Sequence, residues 1–177
     1  MASDLDAVVR RELIAALEGG NAHARFEEVV ADFPAHLQGM KVADLKALKA
    51  EREKIEGLPY SAWQLLEHIR IAQNDILRFS TNHDGSYKEM KFPDDYWPKS
   101  AAPPNALAWE KSVASVLADR AAMAILIQDP RQDLAAPFPW GEGQNLMRQA
   151  ILIVDHAAYH VGELVALRRL LGIWPAR

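Results

Sequence analysis

The segment Asp155-His156-Ala157-Ala158-Tyr159-His160-Val161-Gly162-Glu163 concentrates the chemistry of this chain. His156 and His160 are four residues apart, so on a helix their imidazoles stack on one face, close enough to share a metal ion. The same face carries Leu152, Ile153, Leu164 and Leu167, which points the pair into an apolar interior. Two imidazoles leave a transition metal under-coordinated, so a third ligand must come from another helix. His68 is the candidate. It sits beside Leu65 and Ala72 on an apolar stripe of its own, and bundle folds use inward-facing ligands in this way. Three neutral imidazoles suit Zn, Ni, Fe or Cu better than Mg or Ca. They also leave one or more coordination positions open for water or substrate, as a catalytic site requires.

Carboxylates follow at helical spacing. Asp75 is seven residues after His68, two turns along the same face, and Glu163 is three after His160 and seven after His156. Either can accept a ligand N–H bond or handle protons at a reacting water, or else form an ion pair at the bundle end. Tyr159 can donate to a substrate oxygen or pack against a neighbouring helix. The site expected from these residues has His68, His156 and His160 as metal ligands, with Asp75, Glu163 and Tyr159 as catalytic candidates. A lone buried histidine, or a single i,i+4 pair, is ordinary in a helical core. What favours metal is three histidines on core-facing stripes, since imidazoles buried together without metal each need a hydrogen-bond partner. His23, His36 and His83 fall at less ordered or end-of-helix positions and read as surface residues. Trp63, Trp97, Trp109 and Trp140 read as core or cavity wall. There is no P-loop, dinucleotide fingerprint, H-E-x-x-H motif or G-x-S-x-G elbow.

The elements that must position these residues are helices. Asp4–Glu18 has apolar residues at helical spacing, with Ser3 as a possible cap and Gly19-Gly20 as a stop. A second helix is expected from Asn21, with Phe26, Val29, Val30 and Phe33 on one side and Pro34 as its limit. Residues 41–57 are highly charged and read as an exposed helical turn or mobile connection. Ser61-Ala62-Trp63-Gln64 fits a capping box and opens a third helix to about Phe79, with Leu65, Ile69, Ala72 and Ile76 as its core stripe. Further helices are expected over about Ala106–Gln128 and Asn145–Leu171, the last closed by Gly172 and Pro175. Between them, 82–105 is rich in proline and aromatics, as a wall or lid would be, and 129–144 forms a second structured loop. A substrate is expected to enter between these two loops. The fold class expected is all-α, a four-helix bundle with an additional N-terminal helix, in one domain over 1–177.

Composition narrows the function further. Half of the 177 residues are hydrophobic and a quarter are charged, an ordinary globular balance. The net charge of -4, with only the Arg168-Arg169 pair as a basic run, argues against nucleic acid as a partner. The absence of cysteine excludes disulfides, a thiolate nucleophile and Cys-ligated zinc or iron–sulfur sites. The first residues lack the pattern of a signal peptide, and no apolar stretch is read as approaching the roughly 20 residues of a membrane span. The expectation is a cytoplasmic protein with no membrane partner.

Two segments carry a family resemblance. Ser61-Ala62-Trp63-Gln64-Leu65-Leu66-Glu67-His68-Ile69 and Asp155-His156-Ala157-Ala158-Tyr159-His160-Val161-Gly162-Glu163-Leu164 resemble the DinB-like (YfiT-type) superfamily of metal-dependent enzymes, over most of the chain from about residue 21. The resemblance implies a bundle of up-down-down-up connectivity, with a long loop joining its second and third helices. It also implies a three-histidine metal site at His68, His156 and His160, often in a homodimer. The divalent metal expected there, from the donor chemistry, is Zn, Ni or Fe. Characterised relatives include thiol-dependent S-transferases and a mycothiol-dependent maleylpyruvate isomerase. The function expected is therefore a metal-dependent transferase or hydrolase acting on a small-molecule substrate, with a low-molecular-weight thiol as possible cosubstrate. The competing expectations are a non-enzymatic metal- or ligand-binding protein of a stress response, and a metal-free helical interaction module. The resemblance does not place the charged 41–57 segment, and it identifies no thiol-binding residue.

Overall fold

Apolar residues at helical spacing become four long helices and one short one in the computed structural model, which describes residues 2–20, 22–41 and 59–174. They are α1 (Ala2–Glu18), α2 (Phe26–Val30), α3 (Ala62–Ser80), α4 (Ala108–Gln128) and α5 (Leu146–Leu170). Among the described residues there is no strand. Local chemistry sets most of the ends. The Ser61 hydroxyl accepts from the Gln64 N–H at 3.2 Å, and Gln64 Oε1 accepts from the Ser61 N–H at 3.2 Å, closing the capping box before α3. Asn145 Oδ1 accepts the Arg148 N–H at 2.9 Å to start α5. Gly172, at φ 70, ends it: its N–H reaches the Arg169 carbonyl while the Ile173 N–H reaches that of Arg168. These paired bonds need a left-handed residue that glycine supplies without strain.

Two expectations change. The N-terminal helix begins at Ala2, so Ser3 lies within it rather than ahead of it. The second helix is only 5 residues long: it starts at Phe26 rather than near Asn21, after an extended Arg25 (ψ 151), and it stops where Ala31 turns extended (ψ 141) and Asp32 adopts a positive φ of 49. Phe26, Val29, Val30 and Phe33 are all buried, but Phe33 reaches the core from a loop. The N-terminal helix is thus one of the four long elements rather than an addition to them. The charged segment read at 41–57 lies, apart from Lys41, outside the described residues.

Side-chain bonds fix the helix directions. Glu67 accepts from Ser112, Gln73 donates to the Val116 carbonyl and Asn74 donates to Asp119, so α3 and α4 run parallel. His68 meets His156 and His160 while Ile76 packs near Ile153 and Leu146, so α5 runs antiparallel to α3. Arg10 donates to the Ile127 carbonyl at 2.6 Å and Arg120 donates to that of Leu17 at 3.4 Å, so α1 runs antiparallel to α4. Parallel neighbours need a connection about as long as a helix, and residues 81–107 provide it. This segment walks back along α3: Tyr87 bonds to Asp75, Tyr96 to Asp75 and His68, Pro98 to Gln64, and Ala101 to Ser61. The topology therefore lays aromatic loop residues against the α3 histidine.

The core has two parts. Phe26, Val29, Leu65, Leu66, Trp109 and Leu164 are among the residues of one cluster. Leu13, Leu17, Met123, Ile127, Leu146 and Ile153 belong to the other, where α1 packs. By length and composition alone, α5 is apolar enough to cross a membrane, contrary to the sequence expectation that no stretch came close. Its Ile153, Val161, Leu164 and Leu167 are buried in the core clusters.

Candidate metal centre

His68 comes from α3, and His156 and His160 come from adjacent turns of α5. One ring nitrogen from each lies within 4.8 Å of the others. His68 and His160 are buried, at 5% and 7% exposure, and His156 is half-buried. Hydrogen bonds decide which nitrogen each ring presents. His68 Nδ1 lies 2.9 Å from the Tyr96 carbonyl, which can only accept, so Nδ1 carries the proton and Nε2 the lone pair. His160 Nδ1 donates in the same way to Glu163 Oε2 at 2.6 Å, which leaves its Nε2 free of any partner among the described residues. His156 Nε2 stands 2.9 Å from His68 Nε2, so in the metal-free chain His156 is the donor. Holding a cation requires His156 to move that proton to Nδ1. An acceptor on Nδ1 that fixes ring and tautomer is the usual support of a metal-ligating histidine.

Aromatic rings enclose this cluster. Trp97 stacks on His68 at 3.8 Å between centroids, and Tyr60 stacks on Trp97 at 3.8 Å. A cavity of about 970 Å³ opens beside the histidines. Tyr87, Phe92 and Tyr96 from the first loop and Trp140, Gly141 and Gln144 from the second line it. Both loops thus wall one space, and Trp140 is anchored there by its indole N–H on the Phe79 carbonyl at 2.8 Å.

The remaining candidates separate. Glu163 touches the cluster through His160. Asp75 lines the cavity but bonds to no histidine; it accepts from the Tyr87 hydroxyl at 3.0 Å and the Tyr96 hydroxyl at 2.7 Å, rather than forming an ion pair. Tyr159 neither lines the cavity nor packs under a neighbouring helix: it is 67% exposed, its ring edge-on to His160 at 4.9 Å. It stands one residue, about 100° of helical turn, from His160, on a side that none of the described residues covers. Sequence reasoning missed the Tyr96 carbonyl and the Trp97 stack. The aromatic richness of 82–105 signalled a wall, but not which residue would meet His68. His23, His36 and His83 are exposed, as expected.

Burial keeps the imidazoles neutral. It pushes His156 and His160 down to about 4, helped by the neighbouring rings, and it lowers His68. The His160–Glu163 contact has the distance of an ion pair, but with His160 neutral near pH 7 it is a hydrogen bond to a carboxylate whose own pKa burial raises. Below the ordinary histidine value near 6.5, the unfolded chain binds protons that the folded chain refuses. The stability of the metal-free chain is therefore complete above that value and falls as pH drops from about 6.5 toward about 4. Urea midpoints in the presence of a chelator are expected to decrease across this window. A His156→Gln/His160→Gln variant should show a shallower decrease; equal slopes would refute the assignment.

The donor set fits a divalent transition metal: three imidazoles, no hard oxygen ligand within the group, and Nε2 lone pairs of His68 and His160 freed by acceptors on Nδ1. The three histidines can hold a metal ion. No protein-family model, no curated protein and no solved structure matches this chain.

Proposed function

We propose that this chain is a metal-dependent enzyme acting on a small molecule in the cavity beside His68, His156 and His160. In this reading its four long helices form a four-helix bundle, and the chain belongs with the DinB-like superfamily. The observation that carries the reading is the convergence of three ring nitrogens within 4.8 Å at the wall of a cavity of about 970 Å³. A saturated metal store has no use for such a space, whereas a catalytic site keeps open positions facing one. A divalent Zn, Ni or Fe ion supplies Lewis acidity there, enough to make a nucleophile of water or of a low-molecular-weight thiol near neutral pH.

The chain's own residues supply the rest. His68, His156 and His160 hold the ion, while the Tyr96 carbonyl and the Glu163 carboxylate orient two of those rings. Trp97 covers one face of His68 and keeps water off it. Phe79, Tyr87, Trp140 and Leu152 offer a largely apolar wall to the body of a substrate. A thiol-dependent S-transferase and a hydrolase fit the same ligands.

Elemental analysis of the untagged protein is expected to find about one metal ion per chain, and none in a His156→Ala/His160→Ala variant. Turnover that needs an added thiol and is lost in His68→Ala would assign the transferase; metal-dependent turnover without thiol would assign the hydrolase. No metal in the wild-type protein after incubation with Zn, Ni and Fe would overturn the proposal.

A further inference from the structure

We infer that Asp75 is a positioning residue that acts through Tyr96 to hold the His68 imidazole with Nε2 facing the cluster. The inference rests on the reading of His68 as a metal ligand. Asp75 and His68 share a face of α3 but stand about 10 Å apart along its axis, at 1.5 Å per residue, and no bond joins them. Tyr96 spans the gap. Its main-chain carbonyl takes the His68 Nδ1 proton at 2.9 Å, and its hydroxyl donates to Asp75 Oδ2 at 2.7 Å.

The carbonyl belongs to a 3-10 turn, Asp94–Tyr96, on a loop rather than to a long helix. Its place relative to α3 depends on what the loop is tied to. Tyr96 has a rigid ring, so a hydroxyl fixed on a carboxylate restrains the backbone at the other end of the side chain. Without this tie His68 Nδ1 loses a fixed acceptor, and the ring can carry its proton on Nε2 instead, donating to His156 Nε2 once His156 holds its own proton on Nδ1. That tautomer cannot offer Nε2 to a cation.

Tyr87 provides an internal control. It donates to the other Asp75 oxygen at 3.0 Å, but no bond joins its carbonyl to a histidine. Losing the Tyr87 hydroxyl removes a bond from Asp75 without cutting the route to His68.

The test uses full-length protein, labelled with nitrogen-15 at the histidine rings and freed of metal by a chelator, and then titrated with Co²⁺. Ring-nitrogen spectra of the wild type are expected to show His68 as the Nδ1–H tautomer alone. Tyr96→Phe, which keeps ring and carbonyl, and Asp75→Asn should each bring in the second tautomer and weaken Co²⁺ binding by about 10–100-fold. Asp75→Asn should add little in a Tyr96→Phe background, and Tyr87→Phe should leave the His68 spectrum unchanged. Helical circular dichroism checks that each variant folds, and if Asp75→Asn does not, Tyr96→Phe decides alone. An unchanged His68 spectrum in Tyr96→Phe overturns the inference. So does an equal effect of Tyr87→Phe, or a full additional loss from Asp75→Asn when Tyr96 is already Phe. A wild-type chain that binds no Co²⁺ defeats the metal reading instead, and the tautomer spectra still decide how His68 is held.

Discussion

Saturating zinc is expected to raise the unfolding temperature of this chain by roughly 8–16 °C over the chelated protein, when free zinc is about 1,000 times its dissociation constant. At that ratio a ligand specific for the folded state stabilises by about 4 kcal/mol, and a domain of this size gains about 2–4 °C per kcal/mol. The specificity for the folded state comes from where the ligands lie. His68 and His156 are 88 residues apart in sequence and 2.9 Å apart in space, so the trio does not exist in the unfolded chain. Only His156 and His160, one turn apart, can pair locally. His68→Ala should therefore leave a small shift from that pair, while His156→Ala/His160→Ala should leave none. Scanning calorimetry with zinc and with chelator measures the difference. A shift of the same size in the double variant would mean that zinc acts elsewhere, and would sink the three-histidine site.

That trio was legible because its information is local. His156 and His160 announce a shared face by their spacing, and the strong apolar stripe of α3 turns His68 inward, whereas α5 is apolar on several sides and its own stripe is weak. The Ser61 capping box was legible for the same reason: both of its bonds form between residues three apart. What stayed hidden was non-local or carried by main chain. The partner of His68 is a backbone carbonyl, which every residue has, so no side-chain type marks Tyr96 as its owner. Asp75 had the right helical phase to face the site, and phase alone suggested contact with the cluster; its two tyrosine partners come from a loop whose path follows only once α3 and α4 are known to run parallel. Tyr159 failed through phase as well, since a one-residue step on a helix is about 100° and carried it past the covered edge. The second helix came out shorter at both ends because Arg25, Ala31 and Asp32 leave helical geometry although their residue types do not demand it.

Arg168 was read as half of an unremarkable basic pair, and its replacement is expected to have the second large effect. Arg168→Met should destabilise the chain by roughly 2–5 kcal/mol, and Arg169→Met by less than about 0.5 kcal/mol. The two arginines are neighbours in sequence but not in environment: Arg168 is 6% exposed, whereas Arg169 faces outward. The Arg168 guanidinium donates to the carbonyls of Val29 at 2.9 Å, Ala31 at 3.0 Å and Ile173 at 3.2 Å. It also lies 5.2 Å from the Phe33 ring centroid and 5.8 Å from that of Trp174. In this way it joins the end of the short α2 to the end of α5, where α2 has too few residues to hold itself in place. Methionine preserves much of the apolar stem but leaves carbonyls without a donor, at about 1–3 kcal/mol for each one that stays buried. Relief of the buried charge offsets part of this, since burial already lowers the pKa of the guanidinium. Urea unfolding at pH 7 measures the loss, and equal small effects of the two substitutions would refute the buried role. The anchor sits two turns beyond His160, while the histidines are set by α3 and its returning loop. Zinc affinity of the folded Arg168→Met chain should therefore stay within about threefold of wild type, as expected for sites with no shared partner. Stability and metal affinity would then be separable along one helix, with the C-terminal turns of α5 serving the first and its middle turns the second.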